Sequence, residues 1–191
     1  MKKLNLKTMV MVGMLSSISY ILMLLNFPLP VFPNFLLIDF SDIPALIATL
    51  AFGPVAGILV ELFKNLLDYF MTGSQTGVPV GHIANFIAGV LFILPTYFVY
   101  SRIKTKKGLS LALVAGTFIM AVLMSILNYY IILPAYTLFL NAPAMADSEV
   151  RKLVVTAILP FNILKGVIMS LLFVPLYVRM NYWINRQQTS I

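Results

Sequence analysis

The sequence contains no cysteine, which excludes disulfides, thiolate nucleophiles, iron–sulfur clusters and thiolate–zinc sites. Histidine is reduced to His82 alone, so no second histidine or cysteine is available to build a metal site around it. No stretch follows G-x-x-x-x-G-K-[ST], so the chain has no ATP-hydrolysing P-loop of its own. Charge is scarce as well: 10% of residues are Asp, Glu, Lys or Arg, against roughly a quarter in soluble domains. The net charge of +7 does not point to nucleic acid, because the basic residues cluster beside apolar segments, where membrane topology explains them.

What fills the chain instead is apolar: 61% of residues are hydrophobic and the mean hydropathy is +0.98. This composition is that of an integral membrane protein. The 191 residues hold a handful of spans at roughly 20 residues each, leaving no room for a soluble domain, so residues 1–191 are read as a single membrane domain. The opening "MKKLNLKTMVMVGMLSSISYILMLL" has the basic flank of a signal peptide, but its apolar run is long and no small-residue cleavage pattern follows. It is expected to remain as a first helix.

Apolar blocks run over residues 8–26, 42–71, 79–101, 108–140 and 153–183. Three basic clusters flank or separate them: Lys2, Lys3 and Lys7 at the start; Arg102, Lys104, Lys106 and Lys107 in one loop; and Arg179 with Arg186 near the end. The positive-inside rule places all three on the cytoplasmic side, which requires an even number of crossings between successive clusters. The last two blocks supply two crossings. The first three supply an odd number unless one is divided, and residues 42–71 contain Gly53-Pro54, where proline removes a backbone donor and disfavours helix in the residue before it. Undivided, that block would be roughly 45 Å long against a hydrocarbon core of about 30 Å. The sequence therefore predicts an all-α membrane protein of six transmembrane helices with cytoplasmic N- and C-termini, the alternative being one kinked and tilted helix over 42–71.

This topology puts Asn85, Asn128, Asn162 and Lys165 in the outward halves or interiors of their helices. Asn162 and Lys165 are three apart and share a helix face. A lysine at a helix centre costs about 2.5–3.5 kcal/mol to insert, so Lys165 is expected to face a cavity open to the outside. The isolated asparagines have a structural alternative as interhelical hydrogen-bond partners. Lys165 has no acidic residue at helical spacing, whereas Lys64 has Glu61 and Asp68 on its own face, which predicts a structural charge network. His82 is expected at an outer helix start in a solvated or capping role. Tyr129, Tyr130, Tyr136, Tyr177 and Trp183 are expected as interface aromatics.

A cavity with asparagine amides and a lysine suits a flat, polar-edged aromatic solute: the amides offer donor and acceptor in one plane, as a flavin's pyrimidine edge would need, and the ammonium adds a charge-assisted bond. An enzymatic alternative would use Lys165 with Ser170 or Ser125. Against it, Ser170 points elsewhere on the helix and no histidine or carboxylate is placed to activate a hydroxyl.

Three segments carry a family resemblance. "LLIDFSDIPALIATLAFGPVAGILVELFKN", "NYYIILPAY" and "PFNILKG" resemble the motifs of riboflavin-specific S components of energy-coupling-factor vitamin transporters. The resemblance extends over nearly the whole chain. It implies a substrate-binding, non-enzymatic subunit of the cell membrane that carries riboflavin as transported substrate and needs no cofactor. Implied partners are a transmembrane coupling protein and two cytoplasmic ATPases, with membrane lipid around the bundle and no nucleic acid. It further implies that Asn128, Asn162 and Lys165 hold the flavin ring, that Asn85, Phe40 and Leu36 are wall or ribityl neighbours, and that "NFPLPVFPNFLLIDFS" covers the site. The usual partner-facing A-x-x-x-A stands here as Gly13-x-x-x-Ser17, which keeps both residues small. An S component for another vitamin is the nearest alternative.

Overall fold

The computed structural model describes residues 5–189 apart from 75 and 144; Lys2 and Lys3 of the first basic cluster lie outside the described residues. Helix α1 (Leu6–Leu24) starts at Asn5, whose side-chain oxygen accepts the Thr8 N–H at 2.8 Å and satisfies one of the orphan donors of the first turn. Thr8, Val12, Leu15, Ser16, Ser19 and Met23 form its buried stripe. The opposite face exposes Met9, Met14, Ile18 and Ile21, so the surface is as apolar as the interior. That is the pattern of a helix solvated by lipid.

The chain then makes a small antiparallel hairpin, β1 (Phe27–Pro28) with β2 (Leu37–Ile38), in register Phe27↔Ile38 and Pro28↔Leu37. Apart from it, the described elements are helices, in keeping with the all-α reading.

Helices α2 (Asp42–Phe52) and α3 (Pro54–Thr72) are separated by Gly53, which takes φ 98°, a left-handed value that L side chains avoid. Pro54 opens α3 at a position where a missing N–H is harmless. The two helices do not continue one another. Lys64 Nζ reaches Asp42 Oδ1 at 2.6 Å, and these residues stand equally far from Gly53 on either side, so the chain doubles back there as an antiparallel hairpin. The kinked single helix is thereby excluded. At 11 residues, α2 is roughly 16 Å long, about half a hydrocarbon core.

Helix α4 (Val80–Ile103) ends at Lys104 in a left-handed turn, and Thr105 caps α5 (Lys106–Leu127) by accepting the Gly108 N–H at 2.9 Å. This tight, basic turn makes α4 and α5 antiparallel neighbours. From α5 the helix passes through a π-helical turn, Asn128–Ile132, into α6 (Leu133–Phe139). Similarly, α7 (Asp147–Leu153) leads through the π-helical turn Val154–Ile158 into α8 (Leu159–Thr189). The described residues form six helical rods. Four of them, Leu6–Leu24, Val80–Ile103, Lys106–Phe139 and Asp147–Gln187, are long and apolar enough to cross a membrane. α2 is too short for this, and α3 carries Glu61, Lys64 and Asp68.

The core between the rods is built from Leu46, Leu50, Phe92, Met120, Met169 and Phe173, all buried. Tyr177 departs from its expected place in an interface belt. It is buried at 3% exposure, its hydroxyl bonds to that of Tyr100 across the α4–α8 contact, and it donates to Asn181 Oδ1 at 2.9 Å. Tyr177 lies well inside α8, and a second tyrosine on the neighbouring helix satisfies its hydroxyl inside the bundle. Trp183 packs edge-on against Phe52.

Candidate functional site

A cavity of about 660 Å³ lies beneath the β1–β2 hairpin, between α3, α4, the α5–α6 rod and α8. That volume falls in the range of small-molecule sites. Its inner end is polar and buried: Asn128, Asn162, Lys165 and Asp39 are each 6% exposed or less. Met124, Ala88 and Phe161 supply apolar wall. Its mouth is lined by Asn26, Asn34, Thr72 and Ser74.

The two asparagines owe their placement to the π-helical turns. Asn128 opens the first, and Asn162 follows the second by one turn. A π turn widens the helix by one residue and re-aims the side chains around it. Each amide nitrogen donates to its own helix, Asn128 to Met124 O and Asn162 to Ile158 O, both at 2.8 Å. This fixes the rotamers. Among the described residues neither amide oxygen has a hydrogen-bond partner, which leaves both as acceptors on the cavity side.

Two buried lysines stand close together and differ in how they are held. Lys64 is held closely: its ammonium donates to Asp42 at 2.6 Å and to Ser41 Oγ at 2.7 Å, and lies 2.8 Å from the Glu61 carboxylate as an ion pair. Lys165 is loosely paired, 3.4 Å from Asp42 Oδ2 and 3.7 Å from Asp39 Oδ2, beyond the 2.7–2.9 Å of tight charge-assisted bonds. Its charge is balanced while its N–H groups remain available to a ligand. Asp39 is fixed in turn by Ser41, whose backbone N–H donates to it at 2.8 Å and whose hydroxyl also donates to it. Asn85 extends its amide toward the other Asp39 oxygen at 3.5 Å. The Glu61 carboxylate occupies the space that a Cβ on Gly89 would fill, so the α3–α4 approach depends on that glycine.

Of the anticipated site residues, Asn128, Asn162, Lys165, Asn85 and Leu36 line the cavity together. Phe40 is not among the lining residues. It is half-buried and packs against Phe27 at 6.2 Å between ring centroids, supporting the hairpin from behind. Lys165 does have acidic partners, brought from the start of α2 and the segment before it, and spacing within its own helix could not show them. Asp68 does not join Lys64. It sits a turn farther along α3, lines the cavity mouth and pairs with His82 at 3.0 Å, so His82 is a half-buried partner of an acid rather than a free cap. Tyr136 lines the cavity near Phe35. Asp39 lines the cavity without being singled out by helical spacing, and only the D-F-S-D motif carries a signal for it; Asp68, His82 and Tyr136, expected in a charge network, a capping role and an interface belt, line the cavity as well. The serines of the enzymatic alternative are back-bonded, Ser125 to Ala121 O at 2.7 Å and Ser170 to Gly166 O at 2.6 Å. Neither is held as a nucleophile by a base.

Residues 7–177 match the family model described as "ECF transporter, substrate-specific component". The chain belongs to that family. This S component is 52% identical over 187 residues to the riboflavin transporter FmnP of Bacillus subtilis (strain 168), covering 98% of each chain. It is 42% identical over 188 residues to the riboflavin transporter RibU of Staphylococcus aureus (strain TCH60), covering 97% of each. Among solved structures it resembles the S component of a bacterial ECF transporter with a TM-score of 0.79 and 40% identity, over 93% of this chain and 97% of that one. The S component is a membrane transport subunit and not an enzyme.

Proposed function

We propose that this S component binds riboflavin from the extracellular side and delivers it through an ATP-driven transporter. The observation that carries the reading is the inner end of the cavity, where Asn128, Asn162 and the loosely paired Lys165 present acceptors and donors together beneath an apolar lid. A flavin's pyrimidine edge alternates imide donor and carbonyl acceptors, which these groups complement. Met124 and Phe161 then flank the ring, and Asn85 and Leu36 face the ribityl chain. The names of the relatives agree with this substrate. The test is direct: protein purified in detergent from riboflavin-grown cells should show a flavin absorption spectrum, and flavin-free protein should quench riboflavin fluorescence at one-to-one stoichiometry. A colourless protein that leaves riboflavin fluorescence unchanged would remove the assignment.

The hairpin reversal at Gly53 supports an even number of passages between the first two basic clusters, α2 making its passage together with the chain segment before it, and hence six crossings of one bacterial cytoplasmic-membrane domain over residues 1–191 with both termini inside. Because the chain has no native cysteine, single cysteines report topology cleanly. Val78→Cys and Ala146→Cys, both at exposed positions, should react with an impermeant thiol reagent added to intact cells, and Thr105→Cys only after permeabilisation. Labelling of Thr105→Cys from outside would overturn the arrangement.

With no P-loop in the chain, the energy must come from partners, read here as a transmembrane coupling protein and two cytoplasmic ATPases. Gly13 and Ser17 both lie exposed on α1, one turn apart, and Ser17 Oγ is satisfied by Gly13 O at 3.1 Å. A small face without free polar groups lets another helix approach closely. Changing both residues to Leu should leave riboflavin affinity within about twofold, under 0.5 kcal/mol, while transport and co-purification with the coupling protein are lost. A double variant that binds no riboflavin would place this face in bundle packing instead.

A further inference from the structure

A second cavity, of about 320 Å³, opens on the side of the bundle between the two π-helical turns. Ser125, Ile126, Tyr129 and Tyr130 line it from one rod, and Arg151, Val154 and Val155 from the other. It lies apart from the first cavity and shares no lining residue with it.

Three features define its chemistry. Its apolar members face outward: Ile126 is 48% exposed, Val155 59% and Tyr130 71%, on rods whose outer surfaces are lipid-facing by composition. Its one charged member is a cation, and among the described residues no carboxylate lies within ion-pair distance of Arg151. Its depth is that of a headgroup. Tyr130 stands roughly 36 Å along its rod from Lys106, a full hydrocarbon thickness from the basic turn, and Arg151 roughly 21 Å above Lys165 along the other rod. Val155 follows Arg151 by four residues, so the guanidinium sits above the valine on one face. Tyr129 and Tyr130 stand edge to face at 4.7 Å beside it.

We infer that this groove is a binding site for one anionic phospholipid. The Arg151 fork takes the headgroup phosphate, the tyrosines border the glycerol level, and an acyl chain descends along Ile126 and Val155. The groove reaches the vitamin-site lid through its back wall. Val154 belongs to a packed cluster with Leu133 and Ile158, against which both Tyr129 and the lid residue Leu36 rest. The lipid therefore buttresses the helix turns that carry Asn128 and the lid contact.

The test counts lipids. The full chain is reconstituted in nanodiscs of phosphatidylglycerol and phosphatidylcholine in equal parts, released into the gas phase, and read by native mass spectrometry. Wild-type protein should retain one phosphatidylglycerol about fivefold more often than phosphatidylcholine, the advantage one basic residue gives near a membrane surface. Arg151→Gln should bring the two lipids to parity. Val155→Trp, which fills the groove and leaves the charge intact, should evict the bound lipid of either kind. Lys152→Gln, one residue along and outside the groove, should change nothing. Equal retention by wild-type protein, a preference that survives Arg151→Gln, or an equal loss in Lys152→Gln would each overturn the site in favour of diffuse surface attraction. The readout is independent of flavin binding.

Discussion

Lys64→Met should be the most damaging single substitution in this chain, with a loss of about 3–5 kcal/mol, the usual consequence of removing one member of a buried ion cluster. Lys64 is fully buried, as are Asp42 and Glu61, and its ammonium is the tight partner of both carboxylates. Methionine keeps the volume and removes the charge, leaving Glu61 with no cation and Asp42 with only the distant Lys165. It also cuts the bond to Ser41, which positions Asp39 and through its carbonyl receives the Ser19 hydroxyl of α1. Expression followed by size-exclusion chromatography should show little monodisperse protein, and whatever survives should unfold at markedly lower temperature. Neutralising Glu61 and Asp42 together with Lys64, as Gln and Asn, should recover much of the loss, since a neutral cluster strands no charge. An unchanged melting temperature in Lys64→Met would show that the cluster contributes nothing.

Lys165→Ala should separate stability from binding. The two carboxylates near Lys165 keep their other partners when it is removed: Asp42 retains Lys64 at 2.6 Å and Asp39 retains the Ser41 N–H at 2.8 Å. The fold should therefore persist. Riboflavin affinity should fall by about 1.5–3 kcal/mol, roughly 10- to 150-fold, if the ammonium makes a charge-assisted bond to the ligand. Titration by flavin fluorescence quenching reads this, with the melting temperature as control. Equal affinity in folded Lys165→Ala protein would move the ring contact elsewhere in the cavity. The contrast rests on ångströms: two lysines share Asp42, one held closely and the other free to turn toward a ligand.

The break at Gly53-Pro54 was legible because it is a property of the backbone itself, independent of neighbours. Asn162 and Lys165 were legible because polarity within an apolar helix has few explanations. The carboxylates around Lys165 were hidden by distance along the chain, since only the hairpin brings the α2 start beneath α8. The π-helical turns at Asn128 and Val154 leave no trace in hydrophobic periodicity, because both faces of these rods are apolar. For the same reason the sequence reads Tyr177 as an interface residue, since its partner Tyr100 lies on another helix. The short β-hairpin lies in a segment whose prolines mark a loop, and Phe40, expected as a wall or ribityl neighbour, packs its ring against that hairpin.

The α2–α3 reversal also bears on how the protein is made. Segments that enter a bilayer one at a time must each be stable there before they meet their neighbours. α2 reaches only roughly half the hydrocarbon thickness and begins with Asp42, and α3 carries Glu61 and Lys64 in its buried face. Each alone would expose a charge to lipid, whereas the folded pair neutralises Lys64 within itself. The two helices should therefore leave the translocon together as a preformed hairpin. A nascent chain arrested after Gly53, with α3 still inside the ribosome, should remain extractable at α2, and one arrested after α4 has emerged should not.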